Sequence, residues 1–139
     1  MTSWLLDTGP LVAFFDRGDS FHRWAVEQWA DAPVPLLTCG SVLAEAAYLL
    51  AEHARLPAER VLALVERGVV ASPFRIDEHA GPVARLLEKY RDQGMQLADA
   101  CLVRMSEQHR DCRVFTVDRD DFRVYRRFGR QTIPLIVPP

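Results

Sequence analysis

The chain has 139 residues and a mass of 15.8 kDa. That is the size of one domain, and folding at this length buries roughly two-thirds of the surface the unfolded chain exposes, with no disulfide or metal staple needed. An apolar share of 49% and a formal net charge of −2 describe an ordinary globular protein and exclude one that coats nucleic acid by bulk positive charge, although a local basic patch stays open.

In chain order, Trp4-Leu5-Leu6-Asp7 is a short apolar run ending in an acid, as strands buried on both faces do. Thr8-Gly9-Pro10 reads as a tight turn after it. Ser20 is placed to cap a helix through Trp29, with Phe21, Trp24, Ala25 and Gln28 spaced for one face. Pro35–Thr38 is a second candidate strand. A helix from Ser41 to Ala54 follows, and another starts at Pro57 and stops at Gly68. Helices are predicted over Glu78–Arg91 and Leu97–Gln108, broken apart by Asp92-Gln93-Gly94. Val114–Val117 leads into Asp118 as a further strand, a short helix comes next, and Ile133–Val137 is the last strand. Strands alternating with helices specify an α/β domain with helices layered on a mainly parallel sheet, and residues 1–139 read as a single domain.

No apolar run approaches the ~20 residues of a spanning helix, and none follows a basic amino-terminal region, so no membrane segment is expected. Cys39, Cys101 and Cys112 form no C-x-x-C pair and suit a reducing cytoplasm. His22, His53, His79 and His109 are scattered singly, which sets zinc aside.

Two acids stand where apolar residues belong. Glu45 falls on the stripe of Val42 and Leu49, and Asp99 precedes Leu102 and Val103 at helical spacing. Asp99 also fits a first-turn acid favoured by the helix dipole, and Glu45 a half-exposed boundary position. Asp7 and Asp118 each follow a strand, the end of a parallel sheet where ligands bind, although aspartates there also serve as turn formers and caps. Local roles account poorly for four acids converging from four separated segments. Two carboxylates about 4 Å apart repel by ~4 kcal/mol at an effective dielectric near 20, so such a cluster needs protons or a cation. An all-oxygen set selects magnesium or manganese, and an ion of that kind activates water and stabilises charge on a phosphoryl oxygen. Phosphodiester hydrolysis fits.

The order Leu5-Leu6-Asp7-Thr8, Leu43-Ala44-Glu45, Leu97-Ala98-Asp99-Ala100 and Thr116-Val117-Asp118 with Asp121-Phe122 resembles the PIN-domain ribonucleases. It is most similar to the short toxins of bacterial VapBC-type toxin–antitoxin pairs, and the likeness covers nearly the whole chain. The resemblance implies a three-layer α/β/α sandwich and a magnesium- or manganese-dependent endoribonuclease. It maps a catalytic, metal-binding quartet onto Asp7, Glu45, Asp99 and Asp118, with Asp121 as a further acid and Thr116 as a hydroxyl beside the site. It also implies an antitoxin partner and a homodimer. On this reading Asp7 and Asp99 are the most direct ligands, Asp118 binds directly or through water, and Glu45 orients the attacking water or holds a second ion. No histidine stands near these positions in the sequence, so the ion itself must activate water.

Of 17 basic residues only Lys89 is lysine, which is consistent with a GC-rich genome or with selection for bidentate phosphate contacts. Arg119, Arg123 and Arg126 or Arg127 share a side of the short helix after Asp118 and read either as a phosphate-binding rim, with Thr8 and Thr116 as lesser substrate contacts, or as a solvated face. Phe14, Phe15, Phe21, Trp24 and Trp29 crowd the early chain. Most belong to the core, and Trp29 is expected to line an exposed partner groove. Receiver and haloacid-dehalogenase-like domains also carry acids at strand ends. They need a lysine near the phosphoryl group, and Lys89 sits inside a predicted helix. The remaining alternatives are another metal-dependent phosphohydrolase and a catalytically silent PIN-like interaction module.

Overall fold

The computed structural model describes residues 1–139. Five strands, β1 (Ser3–Leu6), β2 (Leu36–Leu37), β3 (Val70–Ala71), β4 (Cys112–Phe115) and β7 (Leu135–Ile136), form one sheet in the order β3-β2-β1-β4-β7. Every pairing in it is parallel, with Leu5 opposite both Leu37 and Val114. Helices α1 (Thr8–Phe15), α2 (His22–Asp31), α3 (Gly40–Ala54), α4 (Glu59–Glu66), α5 (Ile76–Lys89), α6 (Leu97–Gln108) and α7 (Arg119–Val124) flank it. A small antiparallel hairpin, β5 (Arg126–Arg127) with β6 (Gln131–Thr132), stands apart from the main sheet. No helix is long and apolar enough to cross a membrane.

Leu5, Leu6, Val114 and Phe115 in the two central strands are fully buried, which explains why those strands read as continuous apolar runs. Phe115 anchors an aromatic cluster: Trp4 and Trp24 meet its ring edge-on at 5.4 and 5.3 Å, and Trp29 at 6.4 Å. Trp29 also stacks on Phe14 at 4.5 Å. This corrects the expectation of an exposed Trp29: its ring is part of the core's edge, and the apolar side chains that α2 leaves exposed include Val26.

Several boundaries move for identifiable reasons. Thr8-Gly9-Pro10 is the first turn of α1 rather than a tight turn, because the Asp7 side chain caps Thr8 N and Pro10 sits where a missing N–H costs nothing. Gly9 is required by a close approach: a Cβ there would stand 2.3 Å from Val117 Cγ2. Ser20 caps nothing; α2 starts at His22 and Asp19 Oδ1 accepts from Phe21 N at 2.8 Å. β4 ends at Phe115, so Asp118 lies three residues beyond the strand and caps α7. Tyr125 is extended and ends α7, which places Arg126 and Arg127 in β5 and off the helical face expected to carry them.

Candidate active site

A cleft of about 530 Å³ opens beyond the carboxyl ends of the central strands, where the loop after β4 meets the first turns of α1 and α6 and the middle of α3. Asp7, Glu45, Asp99, Asp118 and Asp121 all line it, as do Asp16 and Asp19. Four acids read from four separated segments are therefore brought to one hollow. The local roles and the site roles coincide rather than compete. Asp7 caps α1 through Thr8 N at 2.8 Å, Asp118 Oδ1 accepts from Asp121 N at 3.2 Å, and Asp99 Oδ2 accepts from Gln96 N at 3.2 Å within a capping box. A cap places a carboxylate at the lip of a helix beside free N–H groups, and here three such lips face one cleft.

Thr116 ties two of the acids together. Its hydroxyl donates to Asp7 Oδ2 at 2.6 Å and accepts from Asp118 N at 2.9 Å. It is fully buried, so it holds Asp7 in place and does not face substrate. Thr8 is also buried, with its hydroxyl unpartnered and its backbone N–H committed to Asp7. The arginines are elsewhere. Arg119, Arg123 and Arg126 line no part of the cleft; Arg119 donates to Pro138 O, and Arg126 Nη1 folds back on the carbonyls of Arg123, Val124 and Tyr125. Arg126 thus leaves the helical side it was expected to share with Arg119 and Arg123, because the chain turns into β5 after Val124.

The sequence reading missed Asp16 and Asp19 in the lining, and it missed two further contributors. His53 lies two turns beyond Glu45 on the same face of α3 and is the one basic side chain lining the cleft; the i, i+4, i+8 spacing with Leu49 was the available signal. Tyr125 donates its hydroxyl to Asp99 Oδ2 at 3.2 Å, a contact across 26 residues that no local pattern announces.

The ion pairs of the molecule, Met1–Asp111, Arg75–Asp77, Arg75–Glu78 and Arg104–Glu107, involve none of the cleft acids. Burial pushes Asp7 up to about 7; the bonds from Thr116 and Thr8 oppose this, and the charges of Asp99 and Glu45 add to it. Asp99 is raised by burial against the pull of Gln96 and Tyr125, with Asp118 and Glu45 adding repulsion. Asp121 is pushed up to about 6 by desolvation and by its contact with Asp118. A cation beside these carboxylates would favour their charged forms and lower all three again. The donor set fits a hard divalent ion: carboxylate oxygens from four elements and no thiol or imidazole pair. No three of them stand together at ligating spacing, which suits an ion that keeps several waters and takes one or two carboxylates directly.

An open parallel sheet carrying this acidic cleft defines a class, and residues 4–127 match the family model described as PIN domain. The chain belongs to the PIN-domain family. Among curated proteins it is similar to Ribonuclease VapC26 of Mycobacterium tuberculosis, 31% identical over 130 residues that cover 90% of this chain and 93% of that protein. Two solved structures share the fold. The Mycobacterium tuberculosis VapC20, a sarcin-ricin loop cleaving toxin, superposes with a TM-score of 0.77 at 21% identity, covering 86% of this chain and 92% of that one. The DNA-bound VapBC of Salmonella typhimurium gives 0.57 at 17% identity, covering 99% and 98%.

Proposed function

We propose that this PIN-domain protein is a divalent-metal-dependent endoribonuclease that acts as the toxin of a VapBC-type toxin–antitoxin pair, with residues 1–139 as one nuclease unit. The observation that carries the reading is the convergence of Asp7, Glu45, Asp99 and Asp118 on one cleft without a single paired cation. Relatedness to a ribonuclease along nine-tenths of the chain supports RNA as the polymer. A cognate antitoxin, supported by the likeness to the VapBC complex, and a homodimer are part of the same proposal.

Asp7 and Asp99 are assigned as the direct ligands of magnesium or manganese, since one is fixed by two donors and the other by a capping box. Asp118 and Asp121, at the start of α7, complete the negative wall and would help hold the ion, directly or through water. A bound ion supplies charge against the phosphoryl oxygens and acidifies a water. Glu45, half-buried on α3, would orient an attacking water or help hold a second ion. Thr116 keeps the Asp7 carboxylate in one orientation. Neutralising the acids would ease the approach of RNA to the cleft, and His53 is the one basic side chain lining it.

Purified protein incubated with structured and single-stranded RNA should cleave it in manganese or magnesium and stop in excess chelator. Asp7→Asn and Asp99→Asn should each lower the rate at least ~100-fold, as expected when a group acting on transition-state charge is lost. Cleavage that persists in chelator, or survives both substitutions, refutes the reading. A wild-type protein that binds no divalent ion would favour the catalytically silent module instead.

A further inference from the structure

We infer that the Tyr125 hydroxyl is a positioning group for Asp99, selecting which carboxylate oxygen is left for a divalent cation. The inference rests on the assignment of Asp99 as a ligand. Asp99 Oδ2 accepts two hydrogen bonds at 3.2 Å, one from Gln96 N at the start of its own helix and one from Tyr125 OH. No donor reaches Oδ1 from the protein. Two donors on one oxygen fix the plane of the carboxylate as well as its position, and they leave the other oxygen with its lone pairs free. Partners behind a ligand act in this way in metal sites, and they tune affinity as well as geometry.

The tyrosine itself is held from several sides. Its ring is fully buried against Tyr90 at 5.1 Å and Phe122 at 5.2 Å. The Tyr90 hydroxyl accepts from Arg126 N at 2.9 Å. Two residues past Tyr125, the buried Arg127 has no carboxylate partner and instead donates Nη1 to Ser106 O and Arg110 O, both at 3.0 Å. A guanidinium there sits against the negative, carbonyl end of α6. Residues 125–127 therefore clasp α6 at both ends: Tyr125 grips Asp99 in the first turn, and Arg127 grips Ser106 in the last.

The test is Tyr125→Phe, which keeps the ring and deletes one oxygen, compared with Tyr90→Phe, which deletes a neighbouring buried hydroxyl that does not touch Asp99. Manganese affinity is read from the free-ion electron paramagnetic resonance signal, and stability from melts in chelator. Tyr125→Phe should weaken manganese binding by about 10- to 100-fold, while Tyr90→Phe stays within about twofold of wild type. A purely structural tyrosine would lower the chelator melting temperature and leave manganese affinity alone. Tyr125→Phe binding like wild type, or Tyr90→Phe weakening binding equally, overturns the inference. If Tyr125→Phe does not fold, the Tyr125 side-chain resonance of the wild-type protein serves instead. Saturating magnesium should shift it, and an unmoved resonance overturns the inference. Wild-type protein that binds manganese and cleaves RNA while Tyr125→Phe is unaltered removes this inference alone. Wild-type protein that binds no manganese removes the ligand assignment and this inference together.

Discussion

Asp7 is buried with only two neutral donors for its charge, Thr8 N and Thr116 Oγ1. Its carboxyl titrates at about 7 in the folded protein, against an ordinary value of 3.8. The folded state therefore binds that proton more tightly than the unfolded chain. The stability linked to it is complete below pH 4 and is lost as the pH rises through 7, about 4 kcal/mol in all. Asp121, raised to about 6, works in the same direction over a lower window. Urea denaturation of the metal-free protein should show stability falling between pH 4 and pH 8. Asp7→Asn, which keeps an acceptor for Thr8 N, should flatten the profile and be the more stable form at pH 8. A wild-type profile that rises across that window would mean Asp7 is charged and satisfied, and that the cleft is assembled differently.

At the scale of elements, α1 and the loop before α7 share a contact on which the acids depend. Gly9 in the first turn of α1 lies against Val117, the residue before Asp118. Gly9→Ala would place a methyl 2.3 Å from Val117 Cγ2, a distance no packed pair sustains, so one element must move. The expected cost is about 1–3 kcal/mol, as for overpacking elsewhere. The displacement separates Asp7 from Asp118, so cleavage should fall as well. Val117→Ala in the same chain removes the clashing methyl groups and should restore most of both, a coupling that a double-mutant cycle reads directly. Equal losses in the single and double variants would place the effect of Gly9 in backbone freedom instead.

Over the whole molecule, seven acids and one histidine line a cleft in a protein whose net charge is only −2. The field is local, concentrated where burial weakens solvent screening. Divalent cations that bind this cleft in the native state alone should stabilise the fold, by about 2.7 kcal/mol at a hundred times the dissociation constant. Thermal melts should rise with manganese or magnesium, and Asp99→Asn should remove that gain. Asp99→Asn should also melt higher than wild type in chelator, because one repelling charge is gone. If the variant melts lower in chelator and still gains fully from metal, Asp99 is a structural cap and the ion sits elsewhere.

Periodicity and end signals are enough to reveal α3, α6, the two central strands and four of the cleft's seven acids, Asp7, Glu45, Asp99 and Asp118. Those features depend on neighbours three or four residues away, or on a run of apolar side chains ending in an acid, and a linear pattern records them. α6 appears at Leu97–Gln108 as read. The two-residue strands, such as β3 at Val70–Ala71, carry no period to read and exist only because β2 offers a parallel partner. The first turn of α1 was hidden because Thr-Gly-Pro is also turn chemistry, and only the cap from Asp7 and the press of Val117 on Gly9 decide between the two. Arg126 shares a side with Arg119 and Arg123 only if the helix runs on through it; the extended Tyr125 ends the helix and sends Arg127 into the core. Which groups hold the acids was beyond the sequence for the same reason. Thr116 reaches Asp7 across 109 residues and Tyr125 reaches Asp99 across 26, and contacts at such separations arise from how the layers pack.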